Sequence, residues 1–234
     1  MNAAPTTFLI ATRNAHKVGE IRTILGGQYC YLTLGDFPDA PNVIEDAGTF
    51  AGNATKKAVE LAKWLAETRN SKLETRNFFV LADDSGLEVD ALKGAPGVHS
   101  ARFAALDSGQ AGNSKDSENN AKLLRLLKEV PREKRTARFR CVIALTPSQP
   151  AIRNTQPAAS PVCYTDEPEL QTEIFDGVCE GWIDFAPRGQ GGFGYDPLFI
   201  PNGFEQSFAE LGEDVKNRLS HRSKALEKLK QKLR

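Results

Sequence analysis

Phe78-Phe79-Val80-Leu81-Ala82-Asp83-Asp84-Ser85-Gly86 is the stretch on which the fold of this chain turns: five apolar residues run straight into two carboxylates, a hydroxyl and a glycine. An unbroken apolar run of this length, with aromatic and branched side chains, predicts a strand buried on both faces. The switch to polar residues predicts that the strand ends there, with the carboxylates at its carboxyl end, where open α/β sheets bind ligands. In extended backbone, successive side chains point to opposite faces, so one aspartate would meet a ligand while the other supports it. A hard cation such as magnesium takes few carboxylates together with phosphate oxygens and water, which one aspartate joined by Glu45 or Asp46 could provide. The competing reading is that both aspartates cap a turn, which Asp-Ser-Gly favours.

Upstream, Phe8-Leu9-Ile10-Ala11 is a short apolar run, and Val18, Ile21, Ile24 and Leu25 follow at helical spacing before Gly26-Gly27. That pattern predicts a strand, a tight turn and a helix from about His16 to Leu25. Tyr31 to Leu34 predicts a second strand, followed by a Pro-rich, acidic loop through Ile44-Glu45-Asp46. From Phe50 to Thr68, the residues Ala54, Ala58, Leu61, Ala62 and Leu65 make an amphipathic helix, and Asn70 to Asn77 reads as a polar surface insertion. Downstream, a helix is expected over Asn119–Val130 and strands over Arg138–Leu145 and Phe175–Ile183, with a last helix from about Ser220 whose Leu226, Leu229 and Leu233 share a face. Residues 146–173, rich in Pro, Ser, Gln and Thr, have the composition of an excursion outside the core. Strands alternating with helices predict the α/β class, and a hairpin between Arg138 and Ile183 predicts a mixed sheet.

Composition narrows the partners. Lys plus Arg equal Asp plus Glu at 30 each, so no global field draws the chain onto nucleic acid or an anionic membrane, and neither partner is expected. Cys30, Cys141, Cys163 and Cys179 form no C-x-x-C pair, which argues against a compact zinc or redox motif. The opening MNAAPTTFLIATRN has no basic region followed by a long apolar stretch, and no run reaches the roughly 18 apolar residues of a membrane span, so a cytoplasmic location is expected.

Three further segments could carry chemistry. Thr12-Arg13-Asn14-Ala15-His16-Lys17 lies between the first strand and first helix, where leading amides and the positive helix end favour an anion and Lys17 and Arg13 add mobile charge. An ordinary turn capped by Asn14 reads equally well, and Walker spacing is absent. Arg188 to Gly194, followed by Tyr195 and Asp196, joins a flexible backbone to Phe193 and Tyr195 and suits a loop closing over a flat ring, or simply a glycine-rich turn feeding a strand. Ser220-His221-Arg222 puts two cations at a positive helix end, against the local electrostatics, and so suggests a bound anion or carbonyl; a solvated basic end is the alternative. Together these segments supply a phosphate cradle, a metal carboxylate, a ring clamp and carbonyl donors, the parts of a nucleotide hydrolase.

FLIATRNAHKVGE, GTFAGNATKKA, LADDSGLEVDALKGAPGVHSARF, GGFGYDPLF and LSHRSKAL, in this order from Phe8 to about Leu226, resemble the inosine triphosphate pyrophosphatase family, and within it the bacterial dITP/XTP type. The resemblance implies one domain over residues 1–234, a homodimer, and a long twisted mixed sheet flanked by helices whose two lobes enclose a nucleotide cleft. It implies magnesium-dependent hydrolysis of non-standard purine triphosphates (ITP, dITP, XTP) to monophosphate and pyrophosphate, which keeps them out of DNA and RNA. Carried over residue by residue, Asp84 is the catalytic acceptor and, with Glu45, a metal ligand. Thr12, Arg13, Asn14, Ala15, His16 and Lys17 hold the triphosphate, and Ser85, Phe193, Gly194, Tyr195, Asp196, Lys216, His221 and Arg222 contact the nucleotide. Donors on His221 or Arg222 would then prefer a 6-oxo purine to adenine. One departure stands out: Gly52-Asn53-Ala54 replaces the family's usual Glu-Asn-Ala. Two other readings stay open: a pyrophosphatase for pyrimidine nucleotides, and a nucleotide sensor without turnover, which the missing glutamate would favour.

Overall fold

The structure, a computed structural model, describes residues 5–68, 77–109, 112–148 and 171–234. β1 (Thr7–Ile10) turns into α1 (Ala15–Leu25), and β2 (Cys30–Thr33) follows. α2 (Phe50–Glu67) starts at Thr49, whose hydroxyl accepts the Gly52 amide, and leads across to β3 (Phe78–Val89). α3 (Ala105–Ser108) and α4 (Asp116–Leu126) precede the hairpin pair β4 (Thr136–Pro147) and β5 (Glu173–Ile183). β6 (Phe199–Pro201), α5 (Phe208–Leu219) and α6 (His221–Leu233) complete the chain.

The strands form one six-stranded sheet in the order β2-β1-β3-β4-β5-β6. β1 is parallel to β2 and β3, whereas β3–β4, β4–β5 and β5–β6 are antiparallel, so the sheet is mixed as expected. The strand at Phe78 does not end at its aspartates, contrary to the sequence reading. β4 pairs with it continuously from Phe79↔Pro147 to Val89↔Ala137, so Asp83 and Asp84 are held in mid-strand by a complete ladder rather than capping a turn. β1 pairs with β3 only as far as Ile10↔Leu81 and then turns away into α1. Past Leu81 that edge of β3 is left to the β1–α1 turn, and this break in the sheet is where the candidate site forms.

Alternation along β3 decides which aspartate faces where. Val80 and Ala82 pack on Ala54, Ala58, Leu61 and Leu65 of α2, and Asp84 continues that row. Leu81 packs with Ile21 and Leu25 of α1 and Leu226 and Leu229 of α6, and Asp83 continues that one. α6 is locked down at Gly177 of β5, where a Cβ would lie 2.0 Å from the His221 carbonyl oxygen, so only glycine lets helix and strand approach this closely.

Boundaries shift where apolar spacing misleads. α4 starts at Asp116 and stops at Leu126, and α5 was not anticipated, because Gly212 (φ +79°) kinks it and interrupts its apolar period. Thr146 and Glu173, assigned to the Pro/Gln-rich excursion, belong to β4 and β5. Residues 70–76 of the expected insertion and 149–170 of the excursion lie outside the described residues. Among the described residues no helix is long and apolar enough to cross a membrane.

Candidate active site

The β1–α1 turn is organised by its own side chains. Asn14 caps α1, its Oδ1 accepting the amides of His16 (2.9 Å) and Lys17 (3.2 Å), and Thr12 Oγ1 accepts the Asn14 amide at 3.2 Å. Two leading amides expected to await an anion are therefore already satisfied. Lys17, expected as mobile charge, is fixed in an ion pair with Asp83 Oδ1, while Arg13, Ala15 and His16 are exposed.

On the α2 side, Asp84 is 7 % exposed and accepts from Asn53 Nδ2 at 3.0 Å and from the Ser85 amide at 3.1 Å. Asn53 also accepts the Ala47 amide at 2.9 Å, tying the acidic loop to the aspartate. Lys57 bonds Glu45 Oε1 at 2.8 Å and the Asp83 carbonyl at 3.1 Å. Burial lifts the Asp84 carboxyl to about 6, with the Glu45 charge pushing the same way and Lys17, Lys57 and Asn53 opposing. Of the two candidate partners for Asp84, Glu45 is thus the one whose charge reaches it, while Asp46 pairs outward with Lys56 at 2.7 Å.

On the opposite face, charges alternate in a chain. Lys17 pairs with Asp83, Asp83 with Arg222, Arg222 with Glu20, Glu20 with Lys216, and Lys216 with Asp196. The Arg222 guanidinium is 1 % exposed and donates from all three nitrogens: Nε to Asp83 (2.9 Å), Nη1 to Glu20 and Nη2 to Ser85 Oγ (2.9 Å). Burial alone would raise the Asp83 carboxyl, but Arg222 and Lys17 hold it well below the usual carboxylate range. Arg222 is thus answered by protein carboxylates, so a bound anion is not needed to explain a cation at the start of α6.

The far end of that chain reaches the glycine-rich loop. Lys216 Nζ lies 2.6 Å from Asp196 Oδ2 and 4.1 Å from the Phe193 ring centre, and Asp196 also accepts the Phe193 amide at 2.8 Å. Phe193 stacks on His16, centroids 5.2 Å apart and planes at 13°, bringing the loop onto the β1–α1 turn. Tyr195 departs from expectation: it is buried, its hydroxyl donates to the Ser100 carbonyl at 2.9 Å, and its ring belongs to the core rather than to a ring clamp. His221 is likewise internal. It stacks on Phe139 at 4.8 Å, its Nδ1 has no partner, and burial with the charges of Arg222 and Lys216 drives its pKa well below the usual value, leaving it neutral.

Most of the residues singled out in the sequence therefore meet at one place, the break between β1 and β3, with Gly194 held from α4 at its edge. Sequence reasoning missed Glu20 and Asn53. The signal for Glu20 was its place one helical turn beyond Lys17 on the same face of α1; for Asn53, it was an amide on the mainly apolar face of α2, one turn before Lys57.

A mixed α/β sheet with a buried, cation-lined carboxylate site between β1 and β3, where the strand order β2-β1-β3 reverses, is the architecture of an enzyme that handles an anionic ligand. The chain belongs to the Ham1 family, whose sequence profile matches residues 8–232. It is 45 % identical over 223 residues to the dITP/XTP pyrophosphatase of Desulforamulus reducens, covering 94 % of this chain and 92 % of that one. Identity to the dITP/XTP pyrophosphatase of Geobacter sulfurreducens is 44 % over 229 residues, with 97 % and 96 % covered. Among solved structures, a HAM1 protein from Coxiella burnetii superposes with a TM-score of 0.73 at 34 % identity, over 97 % of this chain and 98 % of that one.

Proposed function

We propose that this chain hydrolyses the triphosphates of inosine, deoxyinosine and xanthosine to monophosphate and pyrophosphate, as a magnesium-dependent homodimer in the cytoplasm. The observation that carries the reading is Asp84: a buried carboxylate with a raised pKa, beside Glu45 and two lysines, at the break in the sheet. Asp84 orients the attacking water against the α-phosphorus and takes its proton. Lys17, Lys57 and the positive end of α1 set positive potential around the triphosphate, which favours charge developing on the departing pyrophosphate.

The donor set suits magnesium. Asp84 with Glu45 provides two carboxylates and leaves the remaining coordination to water and phosphate oxygens, the mode this ion prefers. Asp84 and Glu45 would hold it, and when bound it supplies charge neutralisation on the phosphate oxygens. For the base, Phe193 offers the stacking surface, and beside it Lys216 and Arg222, paired with Asp196, Glu20, Asp83 and Ser85, would reach a 6-oxo group by exchanging one of those bonds. A 6-oxo acceptor can take such an exchanged donor and an adenine amino group cannot, a difference of about 1–3 kcal/mol, or roughly ten- to a hundredfold.

The test is pyrophosphate release from ITP, dITP, XTP, ATP and GTP, each with magnesium and with excess chelator. Magnesium-dependent release from the inosine and xanthosine nucleotides, at rates well above those for ATP, is the expected result. Binding without release would favour a sensor, and release from pyrimidine triphosphates would move the substrate class.

A further inference from the structure

We propose that Asp116 and Asn120 of α4 are positioning residues for the nucleobase, acting through Gly194 on the ring of Phe193; the inference rests on the reading of Phe193 as the surface that receives the base. Gly194 stands at φ +63°, and both of its backbone polar groups are held by one helix. Its amide donates to Asp116 Oδ2 at 2.7 Å, and its carbonyl accepts from Asn120 Nδ2 at 3.0 Å. The two side chains are four residues apart on α4 and so lie on one face.

The loop they hold is otherwise permissive. Gly189, Gly192 and Gly194 all have positive φ, so its backbone has little intrinsic preference for one path. Asp196 fixes the amide before Phe193's ring, and α4 fixes the residue after it, so the ring is held from both sides. Asn120 is 8 % exposed and its Oδ1 has no partner, so the amide is retained in the interior for what its nitrogen does. The neighbouring Asn119 faces away and ties α4 to the preceding turn, accepting the Ala104 amide at 2.8 Å, which gives the clamp a rigid base.

The test compares Asp116→Ala and Asn120→Ala with the wild type in three ways. Backbone hydrogen exchange over residues 189–196 without nucleotide should speed up in both variants. KM for dITP should rise about three- to tenfold, the worth of one hydrogen bond, with kcat held within about twofold. In a Phe193→Ala background the same substitutions should add nothing further, since they act through that ring. Asp116→Asn, which keeps an acceptor, should stay near wild type. Unchanged exchange in the alanine variants, or KM penalties that persist in full without Phe193, would overturn the inference. A wild-type chain that released no pyrophosphate would instead overturn the proposed function, and the exchange comparison, needing no substrate, would still decide whether α4 holds the loop.

Discussion

Arg222 and Asp83 form a buried ion pair in which Nε donates to Oδ2 at 2.9 Å and the side chains are 1 % and 0 % exposed. Such a pair is held by the completeness of its hydrogen bonds, and here Lys17, Ser85 and Glu20 supply the remainder. Arg222→Ala would strand Asp83 and Glu20 with fewer cations in the interior, at a cost of about 3–5 kcal/mol. Urea unfolding measures it. A loss below about 1 kcal/mol would place the pair among interactions that contribute little.

Asp84→Asn separates chemistry from folding. Burial already disfavours the charged form of Asp84, so removing its charge should leave the melting temperature unchanged or slightly higher. The amide oxygen can still accept from Asn53, whereas the capacity to take a proton from water is gone. Turnover should fall by about a hundredfold or more. Wild-type rates in this variant would remove Asp84 from its catalytic role.

Glu20 predicts a specific acid sensitivity. Burial alone would raise its carboxyl, but Arg222 and Lys216 together outweigh that and hold it below its ordinary 4.5. A carboxyl depressed in the folded state contributes stability that is fully present above its unfolded pKa and is lost as pH falls through the folded value. Glu20→Gln should therefore melt below the wild type at pH 7, and the gap should close as pH drops below about 4.5. A gap that stayed constant from pH 7 to pH 3 would show that ionisation of Glu20 does not hold the cluster together.

Periodicity and apolar runs made β1, α1, α2, β3 and α6 legible, because each buries one continuous face and its apolar spacing records that face. The reach of β3 past its aspartates was not, since pairing with β4 is a long-range contact that overrides the local turn preference of Asp-Ser-Gly. The same limit applies to the site. Asn14 and Ser220 could be assigned as caps from neighbouring residues alone, but that Asp83 answers Arg222 across 139 positions, or that Tyr195 turns inward while Phe193 turns out, depends on tertiary placement.

Gly52 offers the last test, because the family resemblance puts glutamate there. A Cβ at this position would lie 2.8 Å from Ala47 Cβ and 3.0 Å from Thr49 Oγ1, the hydroxyl that caps α2. Ala47 is in turn bound by Asn53, which also holds Asp84, and Glu45 stands two residues before it. The loop thus closes tightly over a bare backbone, and a side chain would push the very segment that brings Glu45 toward Asp84. Replacing glycine inside a helix would by itself favour the helix by up to about 1 kcal/mol, but displacement of a packed neighbour costs about 1–3 kcal/mol. Gly52→Glu should consequently lower kcat several-fold rather than raise it, and Gly52→Ala should do the same to a smaller degree. If Gly52→Glu instead gained activity over the wild type, the absent carboxylate would be a functional deficit of this chain, and the sensor reading would gain the support that the geometry now withholds.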